Sequence, residues 1–393
     1  MAPALRFVVP RYGSTILGGA ETLVRFLAEE LAERGWKIEI WTTGAEDEAT
    51  WAGTNDEGSD SPNLTVTRFP VERLRHPHRF ALESRIFFRL PRMLQWEASW
   101  LRHEGPYAPT LADALRTAEP VPTVFVPYLF WTTVAGFAAY PGPRLLLPCA
   151  HDELPFHLPG TALLFEHADG LLFNTGEEKT LVNGAYPLTQ YTPSLTGTTG
   201  VTIARPADPE RFRSRHHIAG SYFLYGGRTT PGKGIELMMA GMEQLRSAHA
   251  DVSLVLIGDS SNVPIALGVT PLGYLSEQDR LDAIAGATAV IIPGAHESLS
   301  LMALDAWSLG RPVLANSAST VLSGHIDRSQ GGIRFATLAE FADGALHILN
   351  DPRGAAQLGA AGMGYVAAEY AWDTVVANVS ALLTEVAHAA HRP

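Results

Sequence analysis

Residues 5–10, LRFVVP, form an apolar run that predicts a buried strand, and the glycine-bearing loop RYGSTILGGAE follows it. Leu23, Leu27 and Leu31 then recur every four residues, with Val24 and Ala28 beside them. Glu29, Glu30 and Glu33 take the other face, the spacing of an amphipathic helix. Gly35 stops that helix, and KIEIWTT begins a second strand. The same order returns near residue 221, with a strand in SYFLYGG, a loop in RTTPGKG, a helix over 235–246 and a strand in VSLVLIG. A helix in SEQDRLDAIAGA, a strand in TAVIIPG, a helix opening near Ser298 and a strand in PVLAN come next. After Asp351 the pattern is helical to the end.

Strands that alternate with helices imply parallel sheets covered on both faces, an α/β class. Two such starts about two hundred residues apart imply two doubly wound, Rossmann-like domains. Pro206 and Pro209 break regular structure near VTIARPADPERF, which places the join there. The expected domains are 1–204 and 205–370, with a C-terminal helix over 371–393 returning to complete the first. Open α/β sheets bind ligands outside the carboxyl ends of their strands, so two of them predict a site in the cleft between.

Charge and composition narrow the function. The chain of 393 residues carries a formal charge of −12, which argues against a general nucleic-acid binder. Residues 68–102 run against that balance with eight arginines and three glutamates, interleaved with Phe80, Leu82, Ile86, Phe87, Phe88, Leu90, Trp96 and Trp100. Either two ordinary helices present a solvated basic face there, or the stretch meets an anionic or membrane-borne partner. The uncharged run 121–143 holds Pro122, Pro127, Gly136 and Pro141, so it reads as a strand and a short helix rather than a membrane span. The start MAPALRFVVP lacks the n- and h-regions of a signal peptide, and the single cysteine, Cys149, fits a reducing compartment. A cytoplasmic protein, in peripheral contact with the inner face of a membrane or in none, is expected.

Two segments carry candidate chemistry. Gly227 to Lys233 satisfies the opening of a phosphate-binding P-loop, G-x-x-x-x-G-K. Gly234 stands where that loop needs Ser or Thr for its metal, and Pro231 removes an amide donor. The other reading keeps only the cations, Arg228 and Lys233, which at a strand end can neutralise a diphosphate without a metal. The second segment is GAHESLSLMALDAWSLGRPV, residues 294–313. Glu297 flanks the expected helix N-terminus, and Asp305, eight residues on, lies about 12 Å further at ~1.5 Å per residue. Carboxylates so spaced can accept hydrogen bonds from the hydroxyls of a sugar and of a ribose, with two phosphates between them.

These segments together resemble the family 4 retaining glycosyltransferases of GT-B fold. The residues that carry the resemblance are ESLSLMALD followed by GRPV, the pair in GRTTPGKG, the N-terminal GGAE and YLSEQDRLDAIAGATAVIIPG. It implies a nucleoside-diphosphate sugar donor, UDP- or GDP-linked, a hydroxyl acceptor, retention, and no metal or other cofactor. Glu297 would hold hydroxyls of the donor sugar and Asp305 the ribose, while Arg228 and Lys233 stabilise the departing diphosphate. Amides of Ser298, Leu299 and Ser300 would meet the phosphate or sugar, and Gly18 and Gly19 would close over it. Tyr274 and Leu275 would flank the base. His151, in PCAHDELPFHLPG, fits the place of a histidine that contacts the transferred sugar, with Asp152 orienting it or assisting the acceptor. Asp305 is one methylene shorter than the family's usual Glu, and IARPAD replaces a more usual I-P-N-G-V-D. The acceptor is expected to be a surface glycan, a lipid-linked sugar or a small natural product. Alternatives from other classes are a P-loop NTPase and a glycosyltransferase-like partner without catalysis; a dinucleotide oxidoreductase lacks its G-x-G-x-x-G.

Overall fold

The computed structural model describes residues 3–16, 18–56, 58–59, 61–203, 206–229, 232–249, 251–259, 263 and 266–390, with residues 388–390 described by their backbone alone. Pro231, Ala204 and Arg205, which figured in the P-loop and hinge expectations, lie outside them. The chain divides into two compact units, Met1–Gly200 with Asp373–Pro393, and Val201–Trp372.

The first unit holds seven strands: β1 (Ala4–Val8), β2 (Lys37–Thr43), β3 (Leu64–Phe69), β4 (Thr123–Phe125), β5 (Arg144–Leu146), β6 (Gly170–Phe173) and β7 (Ser194–Thr196). They form one parallel sheet in the order β3-β2-β1-β4-β5-β6-β7. The second holds β8 (Tyr222–Gly227), β9 (Ser253–Gly258), β10 (Val269–Gly273), β11 (Ala289–Ile292), β12 (Val313–Asn316) and β13 (Gly332–Phe335), also parallel, in the order β10-β9-β8-β11-β12-β13. Central strands are buried on both faces and read as continuous apolar runs, as in β4, β6 and β11. In each sheet the chain reverses its direction of travel once, at β1/β4 and at β8/β11. At such a switch point the loops after the two strands part and leave a crevice at their carboxyl ends.

The run 121–143 is β4 and the helix Trp131–Ala139, and no described helix is long and apolar enough to cross a membrane. Residues 68–102 form β3's end, the helix Pro77–Phe87, a 3-10 turn and the helix Glu97–Glu104. The two helices share a small core in which the rings of Phe87 and Trp100 stack at 5.5 Å beside Leu158. One expectation fails. The helix bearing Asp305 runs Leu301–Ser308, not from Ser298, because Ser300 sits in the left-handed region at φ 70° and breaks the turn. The 12 Å rise between Glu297 and Asp305 therefore does not apply, since only residues from 301 onward are helical.

Candidate active site

The loops after β8 and β11 flank the switch point of the second sheet, and they are tied together by backbone. Gly234 has φ 72° and approaches so closely that a Cβ there would lie 2.2 Å from the carbonyl oxygen of Pro293. Asn316 Nδ2, at the end of β12, donates to that same oxygen at 2.9 Å. Gly226, at the end of β8, leaves the space that Met302 fills, for a Cβ would meet its Cε at 2.7 Å. The 293–300 segment is thus pinned to the 227–234 loop by glycine packing, which explains why a helix-prone sequence stays irregular before Leu301.

That pinning brings Lys233 to Glu297. Lys233 Nζ donates to Glu297 Oε1 at 2.9 Å, with side chains only 27% and 18% exposed, and to the His296 carbonyl at 3.5 Å. Arg228 begins the same loop, and its backbone carbonyl accepts from Tyr225 Oη at 2.5 Å. Burial pushes the Tyr225 hydroxyl upward, the charges of Glu297 and Asp259 push the same way, and Arg228 opposes them. Two cations and two acids therefore surround the mouth of β8. Gly234 has no room for the side chain that a P-loop uses to ligate its metal. Among the described residues no group of three or more His, Cys, Asp or Glu side chains is placed to hold a metal ion.

Asp305 is placed differently from Glu297. It is 7% exposed, and its Oδ2 accepts from Arg280 Nη1 at 2.6 Å. Arg280, in the helix Glu277–Gly286, also binds Glu277 at 2.8 and 2.9 Å, and these two acids hold its guanidinium above its ordinary pKa despite burial. Arg280 was not among the residues singled out from the sequence. Its position in SEQDRL, one helix upstream, carried no sign of a partner 25 residues away. Ser298, Leu299 and Ser300 lie in the irregular segment, with Leu299 buried. Tyr274, 62% exposed, and Leu275 follow the edge strand β10.

In the first unit the motif GGAE starts the helix Gly19–Glu33. Glu21 is 6% exposed and pairs with Arg11 at 2.6 Å. Its carboxylate curls over Gly18, where a Cβ would strike Oε2 at 2.2 Å, whereas Gly19 has open space at that position. His151 follows β5 on a turn that puts Cys149 at φ 53°. Asp152 does not orient it. Asp152 pairs instead with His157, at 2.7 Å and largely in solvent, and Glu153 lies 3.3 Å from His151 Nε2. Buried Glu178, from the helix Gly176–Ala185, accepts from the amides of Ala150 at 2.5 Å and Asn174 at 2.6 Å. Burial pushes the Glu178 carboxyl up to about 8, against the pull of those amides and of the His151 charge.

Residues 220–351, which contain the whole β8/β11 site, match the family described as "Glycosyl transferases group 1". The chain is 23% identical over 217 residues to the "GDP-mannose-dependent monoacylated alpha-(1-6)-phosphatidylinositol monomannoside mannosyltransferase" of Corynebacterium glutamicum, covering 51% of this chain and 57% of that protein. It is 24% identical over 342 residues to the "D-inositol 3-phosphate glycosyltransferase" of Segniliparus rotundus, covering 77% and 70%. The chain spans about half the length of most curated relatives it matches, and 39% of the glycogen synthase of Mycobacterium tuberculosis. In structure it resembles sucrose-phosphate synthase from Thermosynechococcus elongatus, with a TM-score of 0.74 at 18% identity over 98% of this chain and 100% of that one. It also resembles Anabaena HepE in complex with UDP-glucose, with a TM-score of 0.70 at 16% identity over 97% and 99%. At such identities the structural likeness speaks to fold, and that fold is GT-B.

Proposed function

Starting from a chain of GT-B fold that carries a group 1 glycosyltransferase domain, we propose that it transfers a sugar from a nucleoside-diphosphate donor to a hydroxyl acceptor, with retention and without a metal. The observation that carries this reading is the Lys233–Glu297 pair at the mouth of β8 beside Arg228. A donor diphosphate competes for Lys233 and Arg228, and release of Glu297 from its partner frees a carboxylate for sugar hydroxyls. In the transfer the bond from the anomeric carbon to the phosphate oxygen breaks, and one from that carbon to the acceptor oxygen forms on the same face. The acceptor proton passes to the departing phosphate. Negative charge grows on the diphosphate where fixed cations already stand, which is the preorganisation that dominates such catalysis. In the first unit, His151 is assigned to the transferred sugar and the amides of Gly18 and Gly19 to the donor; the open space at Gly19 supports this. Ser298–Ser300 supply amides to the phosphate or sugar, and Tyr274 and Leu275 flank the base.

Asp305 is assigned to the ribose with Arg280 as its fixed counterion, so it meets the hydroxyls already charged and oriented. The donor is GDP- or UDP-linked, in line with the GDP-mannose and UDP-glucose named for the proteins above. A lipid-linked or surface-glycan acceptor is favoured by residues 68–102. Arg73, Arg79, Arg85, Arg89 and Arg92 are exposed there beside Leu82 (57%), Ile86 (48%), Met93 (89%), Leu94 (58%) and Trp96 (42%), an apolar and basic surface suited to an anionic membrane. Arg75 does not belong to that surface, because it pairs with buried Glu104 at 3.1 Å. A small natural product is the alternative acceptor, as for the "Alpha-D-kanosaminyltransferase" of Streptomyces kanamyceticus.

The test is binding of UDP, GDP, dTDP and their sugars in EDTA. Tight binding of one nucleotide, lost in Lys233→Ala, is expected. ATP or GTP binding only with Mg²⁺ would overturn the reading. For the acceptor, Arg85, Arg89 and Arg92 changed together to Ser should release the protein from anionic vesicles; unchanged sedimentation removes the membrane assignment.

A further inference from the structure

Two carboxylates follow His151 in the sequence, and the fold gives them different partners. Asp152 turns outward to His157, at 2.7 Å, with its side chain 70% exposed. Glu153 turns to His151, 3.3 Å from Nε2, with its side chain 30% exposed. The same oxygen of Glu153, Oε1, accepts from Tyr128 Oη at 2.6 Å. Tyr128 follows β4, packs on Phe156 and Phe165, and is 2% exposed, so this anchor does not swing. Burial and the Glu153 charge both raise the Tyr128 hydroxyl, which therefore stays a donor and leaves Glu153 as the acceptor.

We propose that Glu153 is the positioning residue for His151, holding the imidazole by one nitrogen so that the ring serves as a hydrogen-bond donor rather than as a base. This rests on the transferase reading above. A cation at this place can donate to a sugar hydroxyl or a phosphate oxygen as negative charge develops, whereas a neutral imidazole held by Glu153 as acceptor would have its N–H already spent.

The groups that face this imidazole come from several elements. Glu153 and Asp152 belong to its own loop. Glu178 reaches it electrostatically from the helix Gly176–Ala185, and Tyr128 acts through Glu153. Glu104, with Arg75, acts on Glu153 from the helix Glu97–Glu104, and Cys149 beside it stays a neutral thiol because burial raises it. Burial raises the Glu178 carboxyl to about 8, against the pull of the amides it accepts from. Of these acids Glu153 is the one whose carboxylate meets the imidazole, at 3.3 Å from Nε2.

The experiment is an NMR titration of the histidines in the full chain, with His151→Asn identifying the resonance, beside the pH profile of kcat for transfer. In Glu153→Gln, the midpoint of His151 should fall by about half a pH unit or more, since an opposite charge within hydrogen-bond reach favours the charged form. The high-pH limb of kcat should fall with it while KM for the donor changes less, and Glu153→Asp should restore part of both. A His151 midpoint in Glu153→Gln equal to that of the unaltered protein overturns the proposal, as does a kcat loss that is equal at every pH. If no donor supports transfer but the midpoint moves as stated, the coupling stands and the transferase reading fails. Circular dichroism of Glu153→Gln separates either result from misfolding.

Discussion

Replacing Glu297 by Gln should have opposite effects on binding and on chemistry. Lys233 is satisfied by Glu297 at 2.9 Å, and both side chains are less than one-third exposed. At an effective dielectric near 20, two unit charges at that distance attract by about 6 kcal/mol before desolvation. Desolvation and screening reduce the net value of a partly exposed pair to about 1 kcal/mol. A diphosphate must displace that interaction before it can use Lys233. Glu297→Gln removes the competitor, so free UDP or GDP should bind about fivefold more tightly. The nucleotide sugar should lose its hydrogen bonds to the carboxylate, and kcat should fall by a hundredfold or so, about 3 kcal/mol of transition-state stabilisation. Lys233→Ala should weaken the bare nucleotide by roughly tenfold to a hundredfold, the worth of a charge-assisted hydrogen bond. Isothermal titration of the bare nucleotide against both variants in EDTA decides the matter. If Glu297→Gln weakens the bare nucleotide as much as Lys233→Ala does, the pair is not a competitor for phosphate and the reasoning is wrong.

Three further outcomes follow from single contacts. Gly234→Ser forces an L-residue to φ 72° and a Cβ 2.2 Å from a carbonyl oxygen, so it should cost about 2–3 kcal/mol in denaturant unfolding and create no Mg²⁺-dependent nucleotide binding. Arg280→Ala strands nearly buried Asp305 without its guanidinium; a loss of about 3 kcal/mol is expected, and it should be smaller in Arg280→Ala with Asp305→Asn together. Burial raises the Glu178 carboxyl from its ordinary 4.5 to about 8, so its contribution to stability is complete below about 4.5 and is lost as pH rises through 8. Unfolding followed from pH 5 to 8 should show stability falling, on the order of 3 kcal/mol, and Glu178→Gln should flatten that slope; an unchanged slope would show that the carboxyl is ionised in the fold.

Periodicity alone determined most of the architecture. Apolar runs of four to six residues, too short for helices and alternating with helical stretches, read as parallel strands buried on two faces, and that reading needed no knowledge of partners. Glycine and proline positions marked the loops, and Arg228, Lys233, Glu297 and Asp305 marked the candidate site. What the one-dimensional pattern did not hold was the choice of partner. Asp152 and Glu153 are neighbours of equal charge, yet it is Glu153, held by the rigid Tyr128 hydroxyl, that turns to His151. Arg280 meets Asp305 because two helices of the second unit lie side by side, and Lys233 meets Glu297 because a glycine lets two loops touch. Helix propensity likewise favoured Ser298 as a helix start, but the close approach of Gly234 to Pro293 outweighed a few tenths of a kcal/mol per residue. Local preference is a sum over neighbours in the chain, whereas ion pairs and steric contacts are settled by neighbours in space.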